Sequence, residues 1–205
     1  MTARDLPYEV LEGHGLRLEP YEPAHLPGLT AALGRPEVFA GGWGGGPAGA
    51  RSGTEFAQWL PTYLQIGRAH VYVVTSTVVT STVVTDAAHT VIGTSTILDL
   101  IPGAESAHIG YTAYAPEQWG SSVNPAAKLL LLGHLFDHGY GRVKLQADVR
   151  NARSRAGIEK LGAQFEGIAR RDAQRADGSW RDAAVYAITI DDWPEVRAGL
   201  LRRLT

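Results

Sequence analysis

Residues 117–162 read EQWGSSVNPAAKLLLLGHLFDHGYGRVKLQADVRNARSRAGIEKLG, and the pattern inside this run sets the reading of everything around it. Ser121, Ser122 and Asn124 make a polar turn, and Asn124 ahead of Pro125 is a helix start: a capping side chain, then an imino acid at the first helical position. The spacing of Leu129, Leu130, Leu132 and Phe136, widened by Leu131 and Leu135, predicts a helix from 125 that closes at Gly139. From 142 to 149 the chain alternates, Val143, Leu145 and Ala147 against Arg142, Lys144, Gln146 and Asp148, which is a half-buried strand. Asn151 then caps a second helix that carries Ala156, Ile158 and Leu161 and closes at Gly162. A small-residue loop opening a helix turns free N–H groups and the positive end of a dipole outward, an arrangement suited to a pyrophosphate. Most capped helices hold no anion, so the loop alone does not decide the function.

Upstream, residues 106–114 (SAHIGYTAY) form a strand that runs through Pro116 into this loop. Residues 71–85 repeat VVTST at 73–77 and 78–82; valine and threonine favour strands, and a turn near Asp86 predicts a hairpin over 71–100. At the beginning, 15–19 (GLRLE) is a short strand, and a helix is expected over 22–33, with Leu26, Leu29 and Leu33 in phase and Pro27 disturbing the first turns. Residues 34–53 form a glycine-rich loop. Gly44, Gly46 and Gly49 formally satisfy G-x-G-x-x-G, but no strand precedes them, so a dinucleotide site is not expected and a mobile flap is. A helix bent at Pro61 follows over 54–66, with Phe56 and Trp59 on its apolar face. Downstream, segments 164–171 and 183–190 flank the Asp177-Gly178 turn, and a closing helix starts at Asp192.

With 205 residues and a net charge of −2, the chain is expected to be one domain without general affinity for nucleic acid. There is no cysteine, which excludes disulfides, thiolate metal sites and a covalent acetyl-cysteine intermediate. The N-terminus lacks the apolar core of a signal peptide and no apolar run approaches ~18 residues, so a cytoplasmic protein without a membrane partner is expected. His134 and His138 stand four apart on the predicted helix, but no third ligand accompanies them; surface histidines are expected, and no metal.

The run WGSSVNPAAKLLLLGHLFDHGYGRVKLQADVRNARSRAGIEKLGAQFEG resembles the acetyl-CoA-binding core of the GNAT N-acetyltransferases, in the branch of the ribosomal-protein alanine acetyltransferases RimJ and RimL. LRLEPYEPAHLPGL, VIGTSTILDL, HIGYTAYAPEQWG and IARRDAQRADGSWRDAAVYAITIDDWPEV extend the resemblance, in order, over roughly residues 15–195. It implies an α/β (α+β) fold: a single domain with a mixed, mostly antiparallel sheet of six to seven strands, a splayed central strand pair, and about five flanking helices. It further implies an acetyl-CoA-dependent N-acetyltransferase that joins acyl donor and primary amine in one ternary complex, the acceptor being a protein N-terminus or a small-molecule amine. A homodimer is left open, as is a non-catalytic acyl-CoA-binding or regulatory role.

Acetyl transfer needs a deprotonated amine, donors for the charge that develops on the carbonyl oxygen, and a proton for the departing thiolate. By resemblance, the cofactor lies against Tyr111 and Thr112, the loop Trp119, Gly120, Ser121, Ser122, Val123 and Asn124 takes the pyrophosphate, and Asn151, Ser154 and Arg155 follow it on the next helix. The family pattern Q/R-x-x-G-x-G/A is altered here, with Trp119 first and Ser122 and Asn124 at the glycine positions. The resemblance gives Ser154 the role of thiolate acid. Glu117, Glu105 and His108 are the candidate bases near the splayed strand, Glu117 ahead of the others. Phe39 and Trp43 are candidate acceptor contacts.

Overall fold

The computed structural model describes residues 3–76 and 90–204. Eight strands form one sheet: β1 (Leu11–Gly13), β2 (Leu16–Pro20), β3 (His70–Ser76), β4 (Thr90–Ile101), β5 (Ser106–Tyr114), β6 (Arg142–Asp148), β7 (Gln164–Gln174) and β8 (Trp180–Thr189). Their order is β1-β2-β3-β4-β5-β6-β8-β7. Every neighbouring pair is antiparallel except β5 and β6, which run parallel. The sheet thus has one strand more than the upper expectation, because the first predicted strand is the second arm of a small hairpin with β1. The start of the Val/Thr segment pairs with β4 as expected; the second repeat and the turn near Asp86 lie outside the described residues.

Among the described residues, six α-helices cover the two faces: α1 (Leu26–Leu33), α2 (Pro36–Ala40), α3 (Gly53–Tyr63), α4 (Val123–Asp137), α5 (Ala152–Glu159) and α6 (Trp193–Arg202). One core joins α4 and α6 to the sheet, with Leu131, Leu132, Leu135, Val196 and Leu200 against Val143, Leu145, Tyr186 and Ile188. The other packs α1 and α3 on the opposite face, with Leu29, Leu33, Phe39, Phe56 and Leu60 against Val71 and Val73. The strand alternation of β6 is as its sequence requires, Val143, Leu145 and Ala147 buried and their neighbours half-buried. Because α4 is enclosed nearly all round, truncating Leu131 or Leu132 to alanine would cost about 2–5 kcal/mol.

Two local expectations are corrected. The helix of the central run starts at Val123, with Ser122 as its cap residue in helical geometry; Asn124 and Pro125 therefore lie inside the first turn. Proline is tolerated there because first-turn N–H groups have no intrahelical partner. The glycine-rich stretch is built of α2 and two 3-10 turns, Trp43–Gly45 and Pro47–Gly49, rather than an open flap.

Candidate active site

The central cleft begins where β5 and β6 part. They pair only at Ser106–Arg142, Ala107–Val143 and His108–Lys144. Beyond His108, β6 continues with β8 and β5 with β4, so the two strands diverge as a V and the β6-facing edge of β5 has no strand partner. The divergence coincides with a bulge. From Thr94↔Ala113 to Thr96↔Gly110, β4 advances two residues and β5 three, leaving Tyr111 and Thr112 opposite Ser95. Tyr111 takes a positive φ of 49°, uncommon for a residue with a Cβ, and its hydroxyl accepts a hydrogen bond from Gln65 Nε2 at 2.6 Å.

The loop between β5 and α4 stands at the open end of the V. Trp119 N–H donates to Pro116 O, Ser121 N–H to Gln118 O, and Val123 N–H to Ser121 Oγ. The main-chain N–H groups of Gly120, Ser122 and Asn124 make no hydrogen bond to any described residue. Gly120 takes a φ of 79°, open to glycine at no steric cost. Alternate amides left free at the positive end of a fifteen-residue helix form a cradle for an anion. A cation adjoins it: the Arg153 guanidinium lies 3.7 Å from the centroid of the Trp119 ring, whose Nε1 donates to Tyr114 O at 3.0 Å. Burial holds Arg153 below its usual range. These groups fit a pyrophosphate: free N–H donors, a helix end and a guanidinium stacked on Trp119, with no carboxylate paired to that guanidinium among the described residues.

On the other wall, Asn151 caps α5, its Oδ1 accepting from Ser154 N–H at 2.9 Å. Arg155 turns away from the V toward β8, Nε donating to Tyr186 Oη at 3.2 Å, and Tyr186 donates in turn to Glu159. The glycine-rich stretch roofs this wall. A Cβ on Gly42 would stand 2.8 Å from Asn151 Nδ2, and one on Gly45 3.1 Å from Ala176 Cβ. Ala176 belongs to the β7–β8 turn, strapped to the end of β6 by Arg175, whose Nε and Nη2 donate to Asp148 at 2.6 and 2.9 Å. Phe39 and Trp43 stand in this roof, packed with Phe56, Trp59 and Tyr63; Tyr63 meets the Tyr111 ring edge to face at 5.0 Å.

At the vertex, a pocket of about 390 Å³ opens among Asp99, Ser106, His108, Arg142 and Lys144. His108 is 5 % exposed. Its Nδ1 lies 3.3 Å from Asp99 Oδ2, while Nε2 is buried without a hydrogen-bond partner among the described residues. A proton on Nδ1, facing the carboxylate, leaves the Nε2 lone pair free. Burial, and then Lys144, pull the ring down to about 4, against the opposing pull of Asp99, so it is uncharged at neutral pH. Glu117, the leading base in the sequence reading, sits elsewhere: exposed and held by Arg35 Nη1 at 2.6 and 2.9 Å, which keeps its carboxyl below the usual range. Both its oxygens are committed to Arg35, so this carboxylate ties the loop to α2.

The structure therefore gathers Tyr111, Thr112, Trp119 to Asn124, Asn151 and Ser154 around one V, and leaves Glu117 and Arg155 outside it. Sequence reasoning counted Arg153 only as one of several basic residues in the later half of the chain, and it missed Lys128, next to the leucines of α4. Among the described residues, no group of three or more His, Cys, Asp or Glu could hold a metal ion, and no helix is long and apolar enough to cross a membrane.

The family model described as the acetyltransferase (GNAT) domain matches residues 15–164. A GCN5-related N-acetyltransferase from Brucella melitensis superposes with a TM-score of 0.83 at 25% identity, over 100% of this chain and 90% of that one. Mycobacterium smegmatis RimJ in complex with CoA-disulfide superposes with a TM-score of 0.67 at 21% identity, over 95% and 92%. RimL, described as a ribosomal L7/L12 alpha-N-protein acetyltransferase in complex with coenzyme A, gives 0.65 at 19%, over 90% and 99%; at these identities the likeness to RimJ and RimL is one of fold. No curated protein matches the sequence. The splayed pair, the loop ahead of α4 and the family match agree: the chain belongs to the GNAT acetyltransferases, a membership that supports acyl-CoA-dependent N-acetyl transfer as its general activity.

Proposed function

We propose that this chain transfers an acetyl group from acetyl-CoA directly to a primary amine, with both substrates bound together in the V between β5 and β6. The reading rests on two features of the β5–β6 divergence: free amides at Gly120, Ser122 and Asn124 in the loop at its open end, and an uncharged imidazole nitrogen on His108, with no hydrogen-bond partner among the described residues, where the two strands last pair. Acetyl-CoA supplies an acyl thioester; the chain supplies position, donors and proton traffic. The cradle amides and Arg153 hold the pyrophosphate, Asn151 at the start of α5 bonds the pantetheine arm, and the free edge of β5 beyond the bulge offers N–H donors to the carbonyl oxygen as charge develops there.

His108 is the base that best fits this cleft. Asp99 orients the ring, and Nε2 accepts the proton lost by the amine as the new C–N bond forms. Ser154, half-buried in the first turn of α5, is the residue that returns a proton to the thiolate. The acceptor approaches over the face that bears Tyr111, Tyr63 and Trp43. A peptide N-terminus is the acceptor we favour, by analogy with RimL, an alpha-N-protein acetyltransferase, with a small-molecule amine as the other.

The test is release of free thiol from acetyl-CoA across a panel of N-terminal peptides and small primary amines. The reading requires amine-dependent release that His108→Gln lowers by about 10²-fold or more. Tight binding of acetyl-CoA without thiol release on any amine would replace it with a non-catalytic acyl-CoA-binding role.

A further inference from the structure

Lys128 lies on α4 with 3 % exposure. Among the described residues no carboxylate pairs with it; its Nζ meets only two hydroxyls, Ser95 Oγ at 2.9 Å and Thr112 Oγ1 at 2.6 Å, and these stand 2.7 Å from one another. The three polar atoms close a ring inside an apolar core. An amine buried without a counter-charge costs stability that a leucine or methionine in the same place would not. The two residues it touches are not arbitrary: Ser95 on β4 and Thr112 on β5 are opposite members of the bulge, Thr112 following directly on Tyr111 and its φ of 49°. From the other face the same bulge is held by Gln65 on the Tyr111 hydroxyl and by the Tyr63 ring. The bulge is clamped on both sides, at the point where β5 has turned away from β6.

We propose that Lys128 is a positioning residue for acyl transfer: its amine, through the hydroxyls of Ser95 and Thr112, holds the β5 bulge in the turn that aims the strand's free main-chain N–H groups into the cleft. The inference rests on the reading that the acyl donor lies in that cleft. Burial brings the amine down to about 7, so near neutrality much of it is an uncharged NH2 group, whose two N–H bonds match the two hydroxyls it meets. Lys128 touches no reacting atom; it acts through Thr112.

The experiment compares wild type with Lys128→Met, Thr112→Val and the double variant, by amide hydrogen exchange of the segment 108–116 and by kcat and KM for acetyl-CoA and acceptor. Methionine fills the volume and removes the donor. The expected result is a Lys128→Met protein that melts no lower than wild type, exchanges through 109–115 at least about tenfold faster, and loses about 10- to 100-fold in kcat with little change in acceptor KM, since a small misplacement near the chemistry costs that much. Thr112→Val should lose a similar factor, and the double variant no more than Lys128→Met alone, because the two act as one unit. Exchange and kcat within twofold of wild type in Lys128→Met, or losses that multiply in the double variant, would overturn the inference. Should Lys128→Met fail to fold, Ser95→Ala and Thr112→Val probe the same ring from its acceptor side, with the same expected exchange and the same non-additivity. If wild type releases no thiol with any amine, the acyl-transfer reading falls, while the exchange comparison still judges whether Lys128 holds the bulge.

Discussion

His108→Gln is the substitution on which the proposed chemistry can be tested without knowing the acceptor. The folded ring titrates at about 4 because burial and Lys144 disfavour its charged form, whereas an unfolded histidine titrates near 6.5. The sign follows from that depression: the unfolded chain takes up the proton first, so the stability held above pH 6.5 drains away as pH falls toward 4. With these two values, linkage gives a loss of about 2 kcal/mol at pH 5 and about 3 kcal/mol at pH 4 from this one group. Urea unfolding of wild type and His108→Gln at pH 7.5, 6, 5 and 4.5 isolates it, since the other titrating groups largely cancel in the difference. Wild type should lose about 2 kcal/mol more than the variant between pH 7.5 and 5. Parallel pH dependences would refute the neutral, unpartnered Nε2 on which the base assignment rests. In activity, His108→Gln should lower kcat/KM by about 10²–10⁴-fold. Glu117→Gln should lower it far less, because that carboxylate already serves Arg35.

Gly42→Ala introduces a Cβ 2.8 Å from Asn151 Nδ2 at a φ of 94°; we expect a loss of about 1 kcal/mol or more in thermal unfolding and a weaker Kd for acetyl-CoA by calorimetry, as Asn151 is pushed from its place. Arg153→Ala removes both the stack on Trp119 and the charge beside the cradle, so affinity for coenzyme A should fall about tenfold and depend less on salt, read by titration at two ionic strengths. Lys128→Met should melt higher than wild type at pH 7, and the gap should narrow as pH rises toward 10: the buried amine titrates low, so its cost to folding builds up as pH falls from 10 toward 7, where the unfolded lysine has taken up a proton that the folded one has not.

Much of this fold was legible in the sequence because each signal was local. The alternation of Val143, Leu145 and Ala147 names a strand, the glycines at 139 and 162 stop helices, and Asp177-Gly178 turns a hairpin, each by short-range sterics. Asn124-Pro125 misled by two residues because an N-cap signature and a first-turn proline look alike when the helix can start on Val123. The cradle was legible as a loop, but which of its amides stay free depends on the Ser121 hydroxyl taking Val123 N–H, a choice of rotamer no spacing records. Glu117 was ranked above His108, and only the tertiary contact with Arg35, eighty-two residues away, removes it. Lys128 was illegible for the opposite reason: between alanines and a run of leucines its amine shows a role only once Ser95 and Thr112 are brought to meet it.

The cleft's assignment rests on three amides, and a crystal structure with coenzyme A bound tests it most directly. The account predicts diphosphate oxygens within hydrogen-bonding distance of the N–H groups of Gly120, Ser122 and Asn124, with the thiol end running between β5 and β6 toward His108. Coenzyme A bound elsewhere, with those three donors turned to solvent or to protein and the space beside Asn151 still filled by Gly42, would contradict it.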